Sequence, residues 1–259
     1  MRSIIFRKIL LLMPLAMVLA AFPFPSFVTA QKQGGSNDKG REYYEARGEI
    51  VWEINTDEKV IALTFDDGPN AAQTPQILDL LKQYDAKATF FVVGKRMEKY
   101  PDLVRREANE GHELANHTYN HPYFKQSTPI EQIRQEILKN EQLITSLTRH
   151  KPRLFRPPGG FYSENIVEAS KEAGYLTVLW SWHQDTKDWR SPGVDKIVRK
   201  VLDNARNGDI VLFHDHVEKN PQTVEALKQI LPELKQRGFR FVTVSELLPF
   251  NKMESSVHS

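Results

Sequence analysis

Between residues 60 and 244 the chain alternates short runs rich in β-branched and aromatic residues with longer amphipathic stretches, and few folds accommodate that rhythm. The strand-like runs are Val60–Phe65, Ala88–Val93, His112–Ala115, Arg153–Arg156, Leu176–Ser181, Ile210–His214 and Phe239–Val244. Between them, Thr74–Tyr84 places Ile77, Leu78 and Leu81 on one helical face. Pro129–Leu147 lines up Ile130, Ile133, Ile137 and Ile144, with Thr128 as the expected N-cap and Pro129 at the first helical position. Ser163 is expected to cap a helix that runs through Glu172 and stops at Gly174, and Pro221–Gln236 ends before Gly238.

Seven strand-then-helix units predict an α/β fold with parallel strands, because each helix supplies the crossover that a parallel pair needs. A seven-unit (β/α)7-type barrel fits better than an open doubly wound sheet, since no glycine-rich phosphate loop follows the first strand.

The ionisable residues fall at one end of this scheme. Asp66 and Asp67 follow the first strand directly, and His117 and His121 lie just after the third. Arg156 ends the fourth, Asp185 and Asp188 follow the fifth, and His214 and Asp215 close the sixth. These are C-terminal strand ends, the rim where barrel enzymes assemble their active sites. Each piece has a plainer reading. Asp-Asp-Gly is often a turn, His-x-x-x-His can be a solvated pair, Arg156 can anchor a tight loop, and His214 can be a satisfied core histidine. Five separate segments delivering such groups to one rim favour a catalytic reading over that coincidence.

The termini read differently. Arg2, Arg7 and Lys8 precede an apolar run from Ile9 to Ala21, and Val28-Thr29-Ala30 offers small residues for cleavage. Residues 1–30 are therefore expected to be a secretory signal peptide, with an uncleaved membrane anchor as the alternative. Residues 31–49 read as a polar linker, 50–250 as one catalytic domain and 251–259 as a tail. An exported chain would work outside the cytoplasm, secreted or in the cell envelope, touching the membrane only through an uncleaved N-terminal segment. The absence of cysteine excludes disulfides, thiolate metal ligands and a cysteine nucleophile. A formal charge of +2 gives no support for a nucleic-acid partner.

At these residues the chain resembles the polysaccharide deacetylase family, the NodB-homology domain of carbohydrate esterase family 4, over about residues 50–248. Its five motifs stand in order as Thr64-Phe65-Asp66-Asp67-Gly68, His117-Thr118-Tyr119-Asn120-His121, Arg156-Pro157-Pro158-Gly159, Asp185-Thr186-Lys187-Asp188-Trp189 and Leu212-Phe213-His214-Asp215. The resemblance implies a distorted (β/α) barrel and hydrolytic removal of acetyl groups from N-acetylated amino-sugar polymers, either peptidoglycan or chitin-like. It implies Asp67, His117 and His121 as ligands of a divalent metal, with zinc first and cobalt, nickel or manganese compatible with the same nitrogen and oxygen donors. Asp66 then matches the general base, Arg156 its partner, His214 the general acid and Asp185 the carboxylate supporting His214. The backbone N–H of Gly159 matches an oxyanion donor, and Leu212 and Trp189 match groove residues. Gly159 departs from the family, many of whose members carry an aromatic there, with Phe161 or Tyr162 nearby as substitutes. A catalytically idle carbohydrate-binding protein and an O-deacetylase are the rival readings.

Overall fold

The computed structural model describes residues 39–252. In chain order its elements are α1 (Arg41–Ala46), β1 (Ile50–Val51), β2 (Val60–Asp66), α2 (Thr74–Gln83), β3 (Ala88–Val92), α3 (Gly94–Lys99), α4 (Pro101–Asn109), β4 (Glu113–Asn116), α5 (Ile130–Thr148), β5 (Leu154–Phe155), α6 (Glu164–Glu172), β6 (Leu176–Val178), α7 (Val194–Leu202), β7 (Ile210–His214), α8 (Thr223–Gln236), β8 (Arg240–Phe241) and α9 (Val244–Leu247). All seven expected strands form, several shorter than their apolar runs, and β1 joins them.

The strands lie side by side in the order β1-β6-β5-β4-β3-β2-β7, every pair parallel. β8 pairs with the first two residues of β2, and Phe241 O accepts from Lys87 N just ahead of β3. The two ends of the path, β1 and β7, are tied by isolated backbone bonds instead of a ladder. Ile54 N, just past β1, donates to Gly208 O at 3.0 Å and Ser181 N, past β6, to Ile210 O at 3.0 Å, while Leu179 N continues the β1–β6 pairing by donating to Val51 O at 2.8 Å. The sheet is thus a curled, incompletely laddered (β/α)7 barrel, as expected.

Side-chain alternation along β2 builds both layers of the core. Ile61, Leu63 and Phe65 face the helices and pack with Ile77, Leu78 and Leu81 of α2, while Val60 and Ala62 point inward with Phe91, Ala115 and Ile210. The inward face continues through Thr64 to Asp66, so the period that buries Val60 also carries a carboxylate into the barrel.

Some expectations change at the edges. Residues 1–30, and with them the signal peptide, lie outside the described residues, as do 31–38 and 253–259. The end of the expected linker is helical: α1 buries Tyr44 against Trp52, Ile50 and Val167, so the packed domain begins before residue 50. At the other end Lys252 N donates to Asn55 O, fixing the start of the expected tail. Helix α5 starts at Ile130 with Pro129 as its N-cap, because the Thr128 hydroxyl accepts from Lys125 N in the preceding turn. Ser163 caps α6 as expected. Among the described residues no helix is long and apolar enough to cross a membrane.

Candidate active site

Asp66 ends β2 only 4% exposed, and a bare carboxylate there would be costly. Arg156, fully buried just past β5, meets it. Its NH1 donates to Asp66 Oδ1 at 2.7 Å and to Thr64 Oγ1 at 2.9 Å. Its Nε and NH2 donate to Val178 O and Leu179 O, and the guanidinium lies 3.9 Å from the Phe91 ring centroid. Burial pulls the Arg156 guanidinium below its ordinary pKa, opposed by the charge and hydrogen bond of Asp66. The fork is fixed from four sides, which sets Asp66 in one orientation with Oδ2 turned towards the histidines.

Asp67 leaves the strand in a left-handed conformation (φ 73°), which turns its carboxylate away from Asp66 and over the rim. His121 Nε2 lies 3.0 Å and His117 Nε2 3.4 Å from Asp67 Oδ1. His117 Nδ1 sits 2.7 Å from Arg156 O, and since a carbonyl only accepts, the proton is on Nδ1 and the Nε2 lone pair faces Asp67. Burial alone would raise the Asp67 carboxyl, but the hydrogen bond from His121 and the charge of His214 hold it well below the usual carboxylate range. The three ligand atoms lie within 4.8 Å of one another.

The loop bearing the histidines is bent by left-handed residues at Thr118 and His121, and it is held by side chains that the motif reading did not single out. Asn116 Oδ1 accepts from Thr118 N, while its Nδ2 donates to Ile137 O. Asn140 Nδ2 donates to Val92 O and Asn116 Oδ1. Glu136 accepts from Tyr119 N and Asn120 N. The signal for Asn140 was a polar residue inside the apolar stripe of α5.

His214 ends β7, and its carboxylate partner is Asp188. Asp188 is fully buried; Oδ1 lies 2.7 Å from His214 Nδ1, and Oδ2 accepts from His214 N at 2.8 Å and from Thr223 Oγ1 at 2.7 Å. The expectation that Asp185 supports His214 is corrected. Asp185 lines the cleft and accepts from Lys187 N, and the 3-10 turn Asp188–Arg190 is what folds the second carboxylate under the imidazole. Burial would lower the His214 pKa, but the charge and hydrogen bond of Asp188, with Asp67 and Asp66 beyond, raise it to about 9. The imidazole is therefore cationic at neutral pH, with Nε2 as its remaining donor.

These groups line one cleft of about 350 Å³ with Tyr123, Gly159, Gly160, Trp180, Asp185, Trp189 and Leu212. Neither proposed substitute for an aromatic at 159 lines it. Tyr162 packs edge-on against Tyr44 and Trp52, and Phe161 is not among the lining residues. Behind the rim lie two more carboxylates. Asp215 N donates to Asp66 O, and its Oδ2 accepts from Thr74 Oγ1 at 2.5 Å. Its carboxylate fills the space where Gly68 would carry a β-carbon, so only glycine fits there. Glu107 is fully buried, with neither oxygen hydrogen-bonded.

One carboxylate oxygen and two imidazole nitrogens converging on one point are a donor set for a divalent cation with positions to spare for water and substrate. The model of the polysaccharide deacetylase family matches residues 53–178. A peptidoglycan-N-acetylglucosamine deacetylase of Bacillus cereus is 51% identical over 210 residues, spanning 81% of this chain and 98% of its own length. The crystal structure of a peptidoglycan N-acetylglucosamine deacetylase in complex with 4-naphthalen-1-yl-N-oxidanyl-benzamide has a TM-score of 0.76 at 35% identity, covering 83% of this chain and 100% of that one. A family 4 acetyl xylan esterase from Clostridium thermocellum, in complex with a cobalt ion, has a TM-score of 0.69 at 34% identity over 74% of this chain and 91% of its own. By sequence along nearly the whole of a relative and by fold, the chain belongs to the polysaccharide deacetylase family of carbohydrate esterase family 4.

Proposed function

We propose that the chain is a metal-dependent N-deacetylase that hydrolyses the acetamido groups of N-acetylglucosamine polymers, with peptidoglycan as the first substrate to test. The observation that carries this reading is a single cleft holding a fixed carboxylate, a three-ligand cluster and a cationic imidazole. Family membership and the name of the 51%-identical relative support it.

Asp67, His117 and His121 would hold the metal, zinc first, with cobalt, nickel or manganese acceptable to the same donors. A divalent cation bound there supplies a Lewis acid for the acetyl carbonyl and lowers the pKa of water towards ~7. Asp66 is fixed by Arg156 through Oδ1 and keeps Oδ2, 3.8 Å from His117 Nε2, free to take a proton from the attacking water. The Gly159 N–H is the candidate donor to the oxygen that becomes negative. His214, kept protonated by Asp188, gives its Nε2 proton to the departing amine nitrogen, which would otherwise leave as an unstable anion. Leu212 and Trp189 shape the groove, and Asp185 is assigned to the cleft wall.

The apolar run at residues 9–21 supports export, so that the enzyme meets its polymer outside the cytoplasm, secreted or in the cell envelope. A second reading, O-deacetylation of acetylated xylan, is favoured by the similarity to an acetyl xylan esterase. Acetate release from N-acetylglucosamine oligomers, purified peptidoglycan and acetylated xylan, compared at equal enzyme, separates the two. Release from xylan alone would reverse the assignment.

A further inference from the structure

Tyr123 is 74% exposed, the largest exposure of any aromatic side chain among the described residues, yet its ring is held on two sides. One edge covers Gly159: a β-carbon there would come within 3.0 Å of Tyr123 Cε1 and 3.3 Å of Cδ1. The ring also stands edge-on to His121, with centroids 5.4 Å apart and planes at 82°. Gly159 has φ 69°, a conformation that disfavours side chains, and glycine brings no ring of its own to this part of the wall. Tyr123 takes that space from a different loop, and Trp189, 49% exposed, lines the same cleft.

A large aromatic surface kept in water beside a polar cleft is a binding feature more readily than a packing one. A pyranose ring presents an apolar C–H face within a polar rim. A pinned aromatic ring offers it a flat partner at little conformational cost. We propose that Tyr123 is the platform on which a sugar unit of the polymer stacks beside the reaction centre, making it a specificity-determining residue of the cleft. The assignment rests on the amino-sugar deacetylase reading.

The test is calorimetric titration of an N-acetylglucosamine tetramer into Asp66→Asn protein, with Tyr123→Ala or Tyr123→Phe added. The loss of one stacked ring is expected to weaken the Kd about tenfold in the Tyr123→Ala protein, while Tyr123→Phe stays within about twofold. Zinc titration of the same proteins is expected to give equal affinities. Unchanged tetramer binding in Tyr123→Ala would overturn the proposal. So would zinc affinity falling in step with tetramer affinity, because the ring would then only prop His121. Tetramer binding that depends on Tyr123 in a protein whose wild type releases no acetate would support the platform and refute the deacetylase reading.

Discussion

The carboxylate of Asp188 grips His214 twice, through Nδ1 at 2.7 Å and through the backbone N–H at 2.8 Å, and so fixes both the orientation and the charge of the imidazole. Because the His214 pKa is raised to about 9, the acid form prevails through neutral pH and is lost as pH rises through about 9. Asp188→Asn removes the charge that holds the proton. The alkaline limb of kcat/KM is expected to move to lower pH, with kcat reduced at least tenfold, by the usual size of general-acid effects. Asp185→Asn should leave the limb in place. A limb that moves with Asp185 and not with Asp188 would make Asp185 the partner of His214.

Arg156 predicts a stability effect. Arg156→Ala leaves Asp66 as a buried, unpaired carboxylate, a change that costs about 3–5 kcal/mol in comparable sites. For a domain of this size thermal unfolding should fall by about 10 °C. Arg156→Lys keeps the charge but loses the fork to Val178 O and Leu179 O, and should fall between the two. A melting temperature unchanged in Arg156→Ala would show that the ion pair does not hold Asp66.

Much of this was legible beforehand, and the remainder has physical reasons. The strand runs and the helices α2, α5, α6 and α8 carry strong apolar periodicity, and the rim residues follow from where the strands stop. Four of the nine residues of α4 are charged and it buries only Val104 and Glu107, so it has too few apolar positions to show a stripe. The choice between Asp185 and Asp188 depends on left-handed turns at Lys187 and Ser191, which local sequence does not reveal. Tyr123 follows the second histidine by two residues, and only the tertiary structure brings its ring over Gly159.

The buried acids give a pH prediction. Burial, and then the charge of Asp215, raise Glu107 well above the usual range, while burial and the charges of Asp67 and Asp66 push Asp215 up to about 7. An acid raised in the folded state stabilises it below its unfolded pKa, and that stability is lost as pH climbs through the folded value. The melting temperature should therefore fall from about pH 5 to pH 8. Glu107→Gln, neutral throughout, should flatten that fall and melt higher than wild type at pH 8. An equally steep fall in the variant would mean that Glu107 finds a partner.

The roles of adjacent residues also separate. Asp66→Asn should bind zinc as wild type does, yet lose most turnover, because only the proton acceptor is gone. His117→Ala should lose zinc affinity by about 10–100-fold or more together with activity, since a ligand is at least as costly to remove as the partner that orients one. Equal zinc loss in both variants would contradict the division between base and ligand.

The most direct test of the whole account is acetate released from purified peptidoglycan and from N-acetylglucosamine oligomers by protein stripped with a chelator, then restored with zinc. The stripped enzyme is expected to release none and to recover on adding zinc, with no recovery in Asp66→Asn. Release that persists undiminished in chelator, or that Asp66→Asn supports at the wild-type rate, would contradict it.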